Sequence, residues 1–135
     1  MYIQAIGTAT PPHRYTQREC WDAYCASPYL QRLSSRSQAI LRKVLSSDNG
    51  IETRYFAMRE LQEGFACDPN TLHRRFADHA PAIAAQAARQ ALVRAETTPQ
   101  QIDALVISTC TGYLCPGLTS YVSELLGLRP SAFLP

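Results

Sequence analysis

The sequence predicts an α/β fold, and three observations carry that expectation. Helical spacing recurs along the chain, most strongly over residues 71 to 95. An apolar run, Ala104-Leu105-Val106-Ile107, has the character of a strand buried on both faces. Turn and capping residues separate these segments, so the order reads strand, helices, extended segment, helix, strand, helix, an alternation that builds α/β layers.

Each element has its own reason. Residues 2 to 7 (Tyr-Ile-Gln-Ala-Ile-Gly) predict a short strand, broken by Gly7 and by Pro11-Pro12, which cannot donate to a sheet ladder. Thr16 with Glu19 forms a capping box, so a helix begins there and runs to about Ala26, where Ser27-Pro28 interrupts it. A second helical pattern passes through Leu30, Leu33, Ile40, Leu41, Val44 and Leu45 and ends in the turn Asp48-Asn49-Gly50, with Gly50 as a left-handed cap. Ile51, Thr53, Tyr55 and Phe56 favour an extended segment, and residues 59 to 70 predict a connecting loop.

The helix over 71–95 carries Phe76, Ala80, Ile83, Ala87 and Ala91 on one stripe, with Ala84, Ala88, Leu92 and Ala95 beside it. So little side-chain bulk lets a neighbour approach closely. Pro81 starts the main part of this helix or kinks it. Thr98-Pro99-Gln100-Gln101 repeats the capping pattern over a single turn. After the strand over 102–109 come a loop with Gly112, Pro116 and Gly117, a helix from Leu118 to Leu126, and Gly127 as its cap. Ser131-Ala132-Phe133-Leu134-Pro135 begins another extended apolar piece, which predicts a chain cut in mid-element.

Composition limits the function classes. The length is one domain's worth and excludes a multidomain reading. Hydrophobic residues make up 46% and charged residues 18%, enough apolar surface to fold. The net charge is +2 with no dense Lys/Arg run, which argues against a nucleic-acid partner. No apolar run is long enough to span a bilayer and Met1-Tyr2-Ile3-Gln4 lacks a basic leader start, so the expected compartment is the cytoplasm. Five cysteines, an odd number, then point to reduced thiols.

For chemistry, the segment Cys110-Thr111-Gly112-Tyr113-Leu114-Cys115-Pro116-Gly117 stands out. It leaves the end of a predicted buried strand, where α/β folds place ligands; the alternative is a tight strand-to-helix turn whose small residues merely fit. Cys20 with Cys25 and Cys110 with Cys115 superficially suggest a zinc site. Residues five apart on a helix point about 140° apart, however, so no metal is expected, and buried cysteine accounts for Cys20, Cys25 and Cys67. His73 and His79 read as a solvated face. Arg36, Arg42 and Lys43 lie near one side of the second helix, either as a phosphate contact or as a solvated face.

Four segments, in order, resemble the type III polyketide synthases, the chalcone and stilbene synthase relatives, and their bacterial branch in particular. They are Ala5-Ile6-Gly7-Thr8-Ala9-Thr10-Pro11-Pro12, Gly50-Ile51-Glu52-Thr53-Arg54-Tyr55, Ile107-Ser108-Thr109-Cys110-Thr111-Gly112 with Pro116-Gly117, and Leu125-Leu126-Gly127-Leu128-Arg129-Pro130. The resemblance implies a thiolase-like layered α/β fold, of which residues 1–135 are the N-terminal portion, an incomplete first half ending before the nucleophile. It also implies a homodimeric acyltransferase that condenses an acyl-CoA starter with malonyl-CoA by decarboxylation, with CoA thioesters as substrates and no cofactor.

In that family a cysteine thiolate carries the acyl chain while a His and an Asn stabilise the enolate and oxyanion. No cysteine or histidine of this chain matches those places, so no catalytic residue is assigned and the chain alone is expected to be inactive. The resemblance makes Cys110 and Thr111 pocket-wall residues near the thioester, and Cys115 the residue that reaches across the dimer interface. Arg42 and Lys43 become the nearest candidates for the CoA phosphates, while Arg54 is expected to be buried against a structural partner. Two other readings stay open: a ketoacyl-acyl-carrier-protein synthase III, which should show a basic docking patch, and a stand-alone dimerisation module.

Overall fold

The computed structural model describes residues 2–46 and 49–133. Two compact units emerge, one formed by Met1–Thr10 with Pro69–Pro135 and the other by Pro11–Asp68.

The Pro11–Asp68 unit contains β1 (His13–Thr16), α1 (Gln17–Ala26), α2 (Tyr29–Arg32), α3 (Ser35–Ser46) and β2 (Thr53–Phe56). The α1 start follows the predicted capping box: the Glu19 amide donates to the Thr16 hydroxyl at 3.1 Å, and the Glu19 carboxylate accepts from the Thr16 amide at 2.7 Å. The Thr16 amide and hydroxyl hold the Glu19 carboxyl below its ordinary pKa, through hydrogen bonds that favour the ionised form. Gln17, Cys20 and Ala23 form the buried face of α1.

The helical pattern over 30–45 is divided at Leu33-Ser34. There the Ser34 hydroxyl accepts the Ser37 amide at 3.2 Å and so satisfies a donor at the start of α3. Gly50 has the expected left-handed backbone, with φ +78°. Asp48 of the predicted turn lies outside the described residues, as do Leu134 and Pro135 of the predicted terminal piece.

β2 confirms the extended segment over 51–58, but its partner is not residues 2 to 7. β1 pairs antiparallel with β2 in the register His13↔Phe56, Arg14↔Tyr55, Tyr15↔Arg54 and Thr16↔Thr53. The loop expected over 59–70 contains a 3-10 turn at Leu61–Phe65. Its Phe65 ring stacks on Tyr29 at 5.5 Å and meets Tyr24 edge-on at 5.2 Å, tying the turn to α1 and α2.

The other unit is built on α4 (Pro69–Arg94), which carries Pro81 within it, and α5 (Leu118–Leu126). Ala85 (0% exposed) on α4 and Val122 (1%) and Leu126 on α5 form its core, with Leu105, Ile107 and Leu128 packed against them. The alanine-rich face admits a close neighbour, as the composition predicts. A Cβ on Gly7 would overlap the Ala87 carbonyl and the Ala91 amide of α4. A 3-10 turn, Pro99–Gln101, forms with its capping box, and Gly127 closes α5 in the left-handed region at φ +66°.

Both predicted strands of this unit are corrected. Residues 2–10 form no strand. They are held to α4 and the residue that follows it by hydrogen bonds involving side chains instead: Gln4 Nε2 donates to the Ala95 carbonyl (3.1 Å), the Thr8 amide to Gln90 Oε1 (2.7 Å), and Arg94 to the Ile6 carbonyl (2.6 Å). Residues 102–109 make only a parallel bridge, Ala104 to Phe133, flanked by the Arg129–Asp103 ion pair. Nor is this run buried on both faces: Leu105 and Ile107 pack on the core, whereas Val106 is 74% exposed. A strand is defined by its neighbours, and among the described residues no ladder forms on either segment.

Candidate functional site

The segment singled out for chemistry is an exposed loop between residues 102–109 and α5. Cys110, Thr111 and Cys115 are all exposed, while Leu114 between them is buried and anchors the loop. The Thr111 amide donates to the Thr109 hydroxyl at 3.3 Å, and the Cys110 thiol lies 3.7 Å from the Thr111 hydroxyl. Gly112 lies against the ring of Phe76 on α4 so closely that a Cβ there would overlap Cγ and both Cδ atoms. The glycine therefore serves close packing by a helix, and Phe76 is the support that the sequence reading missed. Its place on the small-residue stripe of α4 was legible, but its partner was not. Cys115 precedes Pro116 through a cis peptide bond, and α5 starts two residues later.

Arg42 and Lys43 lie in the Pro11–Asp68 unit, both exposed on α3, whose Leu45 is buried. Arg54 has the expected structural partner. Its Nε donates to Gln17 Oε1 at 3.1 Å, and the buried Gln17 in turn donates through Nε2 to Asn49 Oδ1 at 3.0 Å. This chain of amides joins β2, α1 and the segment before β2, satisfying a polar side chain taken out of water. The sequence places Asn49 in a turn and assigns Gln17 no role; only the folded chain brings the exposed Asn49 against the buried Gln17.

The cysteines divide differently from expectation. Cys20 is buried, but Cys25 and Cys67 are exposed. The reason is the same helical geometry that separates Cys20 from Cys25: only one of two residues about 140° apart can face the interior. Burial pushes the Cys20 thiol up from its ordinary pKa, an effect opposed by the nearby Arg54 charge.

No family model matches the chain. It is 31% identical to a bisdemethoxycurcumin synthase of Oryza sativa subsp. japonica over 96% of its own length and 34% of that protein's. It is 30% identical to a 1,3,6,8-tetrahydroxynaphthalene synthase of Streptomyces peucetius subsp. caesius over 94% of its length and 33% of that protein's. A crystal structure of a fungal type III polyketide synthase superposes with a TM-score of 0.74 at 24% identity, covering 98% of this chain and 35% of the other. By sequence and fold, this chain is similar to one portion of these synthases. It spans about a third of the length of the curated relatives it matches. The fold is accordingly part of their layered, thiolase-like α/β arrangement, in agreement with the class expected from sequence. Among the described residues, no helix is long and apolar enough to cross a membrane.

Proposed function

We propose that this chain is part of a type III polyketide synthase acyltransferase that condenses an acyl-CoA starter with malonyl-CoA by decarboxylative Claisen chemistry, working in the cytoplasm as a homodimer. The observation that carries the reading is the match to two such synthases over at least 94% of the chain. In this role Cys110 and Thr111 form part of the pocket wall, their small side chains leaving room for a growing chain. Cys115 reaches toward the partner subunit, and Arg42 and Lys43 meet the CoA phosphates as exposed cations on one helix. The bond-forming groups are supplied from outside these residues, because a thiolate nucleophile needs a base or cationic partner and no residue of this chain matches that pair in the family. The residues present bind and shape; they do not react.

The test is to incubate the 135-residue chain with malonyl-CoA and an acyl-CoA and follow release of CO₂ and CoA. No turnover is expected. Turnover abolished by substituting one of its own five cysteines would overturn the division of labour proposed here.

A further inference from the structure

The Pro11–Asp68 unit holds a cavity of about 300 Å³ that none of the residues assigned above uses. Ala23 of α1, Phe56 of β2, Met58 and Phe65 give it apolar walls, with the buried Cys20 thiol beside them. Its volume is at the lower end of the range in which small-molecule sites fall, about 300–1,000 Å³. One lining residue breaks the pattern. The half-buried, exposed, half-buried order of Arg54, Tyr55 and Phe56 turns Arg54 and Phe56 to the cavity side of β2, so a guanidinium occupies a position where strand alternation calls for an apolar side chain.

Among the described residues, that guanidinium has no carboxylate partner. Its Nε is committed to Gln17, a neutral amide, and no carboxylate lies within ion-pair distance of it among the described residues. Glu19, whose charge reaches the same Cys20 thiol, is occupied by the Thr16 amide and hydroxyl. Arg54 is thus oriented by one nitrogen while its two terminal nitrogens keep donors that suit a carboxylate in bidentate geometry. A partly desolvated cation beside apolar walls is unfavourable alone and is relieved by an anion with an apolar body.

We propose that this cavity binds a hydrophobic monocarboxylate, its carboxylate on Arg54 and its hydrocarbon against Phe56, Met58 and Phe65. The site stands independently of the synthase reading, since it rests on the cavity and on the placement of Arg54 in its wall. With only two methionines in the chain, a methyl-labelled Met58 gives a separable NMR signal inside the cavity.

Titrating the full 135-residue chain with octanoate should move that signal saturably. 1-Octanol, which has the chain without the charge, should bind at least about tenfold more weakly, the equivalent of one charge-assisted hydrogen bond. Arg54→Met should reduce octanoate affinity to that of octanol, and Cys20→Phe, which fills the cavity, should remove the response to both; Ala23→Leu serves the same purpose if Cys20→Phe does not fold. The absence of a saturable shift with octanoate, equal affinity for octanol, or octanoate binding retained in a filled-cavity variant would each overturn the proposal.

Discussion

Replacing Gly112 with alanine tests how the loop bearing Cys110 and Thr111 is held. The backbone conformation of Gly112 is open to alanine, so the perturbation is steric: the new methyl overlaps the Phe76 ring. Overpacking of this kind costs about 1–3 kcal/mol. Alanine also lowers the entropy of the unfolded chain, which returns about 0.4–1 kcal/mol. The net expectation is a loss of about 0.5–2 kcal/mol. Removing the ring by Phe76→Ala should itself cost about 2 kcal/mol, half the usual loss for a fully buried phenylalanine, because Phe76 is half-buried.

In the Phe76→Ala background the overlap is gone. Gly112→Ala should then be neutral or slightly stabilising, giving a coupling of about 1–3 kcal/mol between positions 36 apart in sequence. Urea unfolding of the wild type, both single variants and the double variant measures that coupling. An equal cost of Gly112→Ala in both backgrounds would refute the claim that Phe76 supports the loop.

Three further outcomes are expected. The Glu19 carboxyl is held below its ordinary pKa of 4.5 by the Thr16 amide and hydroxyl; the stability this adds is fully present above the unfolded value and is lost as pH falls through the folded one. Urea midpoints taken from about pH 6 to about pH 3 should therefore fall more steeply for the wild type than for Glu19→Gln. In the native chain Cys25, Cys67, Cys110 and Cys115 should be alkylated quickly and Cys20 only on unfolding, as read by mass spectrometry of each cysteine peptide. Thr111→Leu should change stability by no more than about 0.5 kcal/mol, because the residue is exposed, while altering product chain length when carried in an active synthase containing this segment; a lost fold with unchanged products would make Thr111 a packing residue.

What the sequence alone determined is local chemistry. The Thr16–Glu19 and Thr98–Gln101 boxes, the glycine closing α5 and the long helix of small residues all involve groups within a few positions of each other, so their physics is complete in a short window. The candidate loop was legible for the same reason, as a cluster of small and turn-forming residues between two apolar segments. Tertiary structure decided which apolar segments become strands. Residues 2–7 and 102–109 have the right composition but no ladder, whereas His13–Thr16, with no obvious signal, is a strand because Thr53–Phe56 lies beside it. It also decided that Ala85 is the fully buried residue of α4, that Phe76 meets Gly112, and that Arg54 turns toward an apolar cavity after bonding to Gln17. A hydrogen-bond ladder, a packed core and a half-buried charge each take their energy from groups distant in sequence, and only the folded chain brings those groups together.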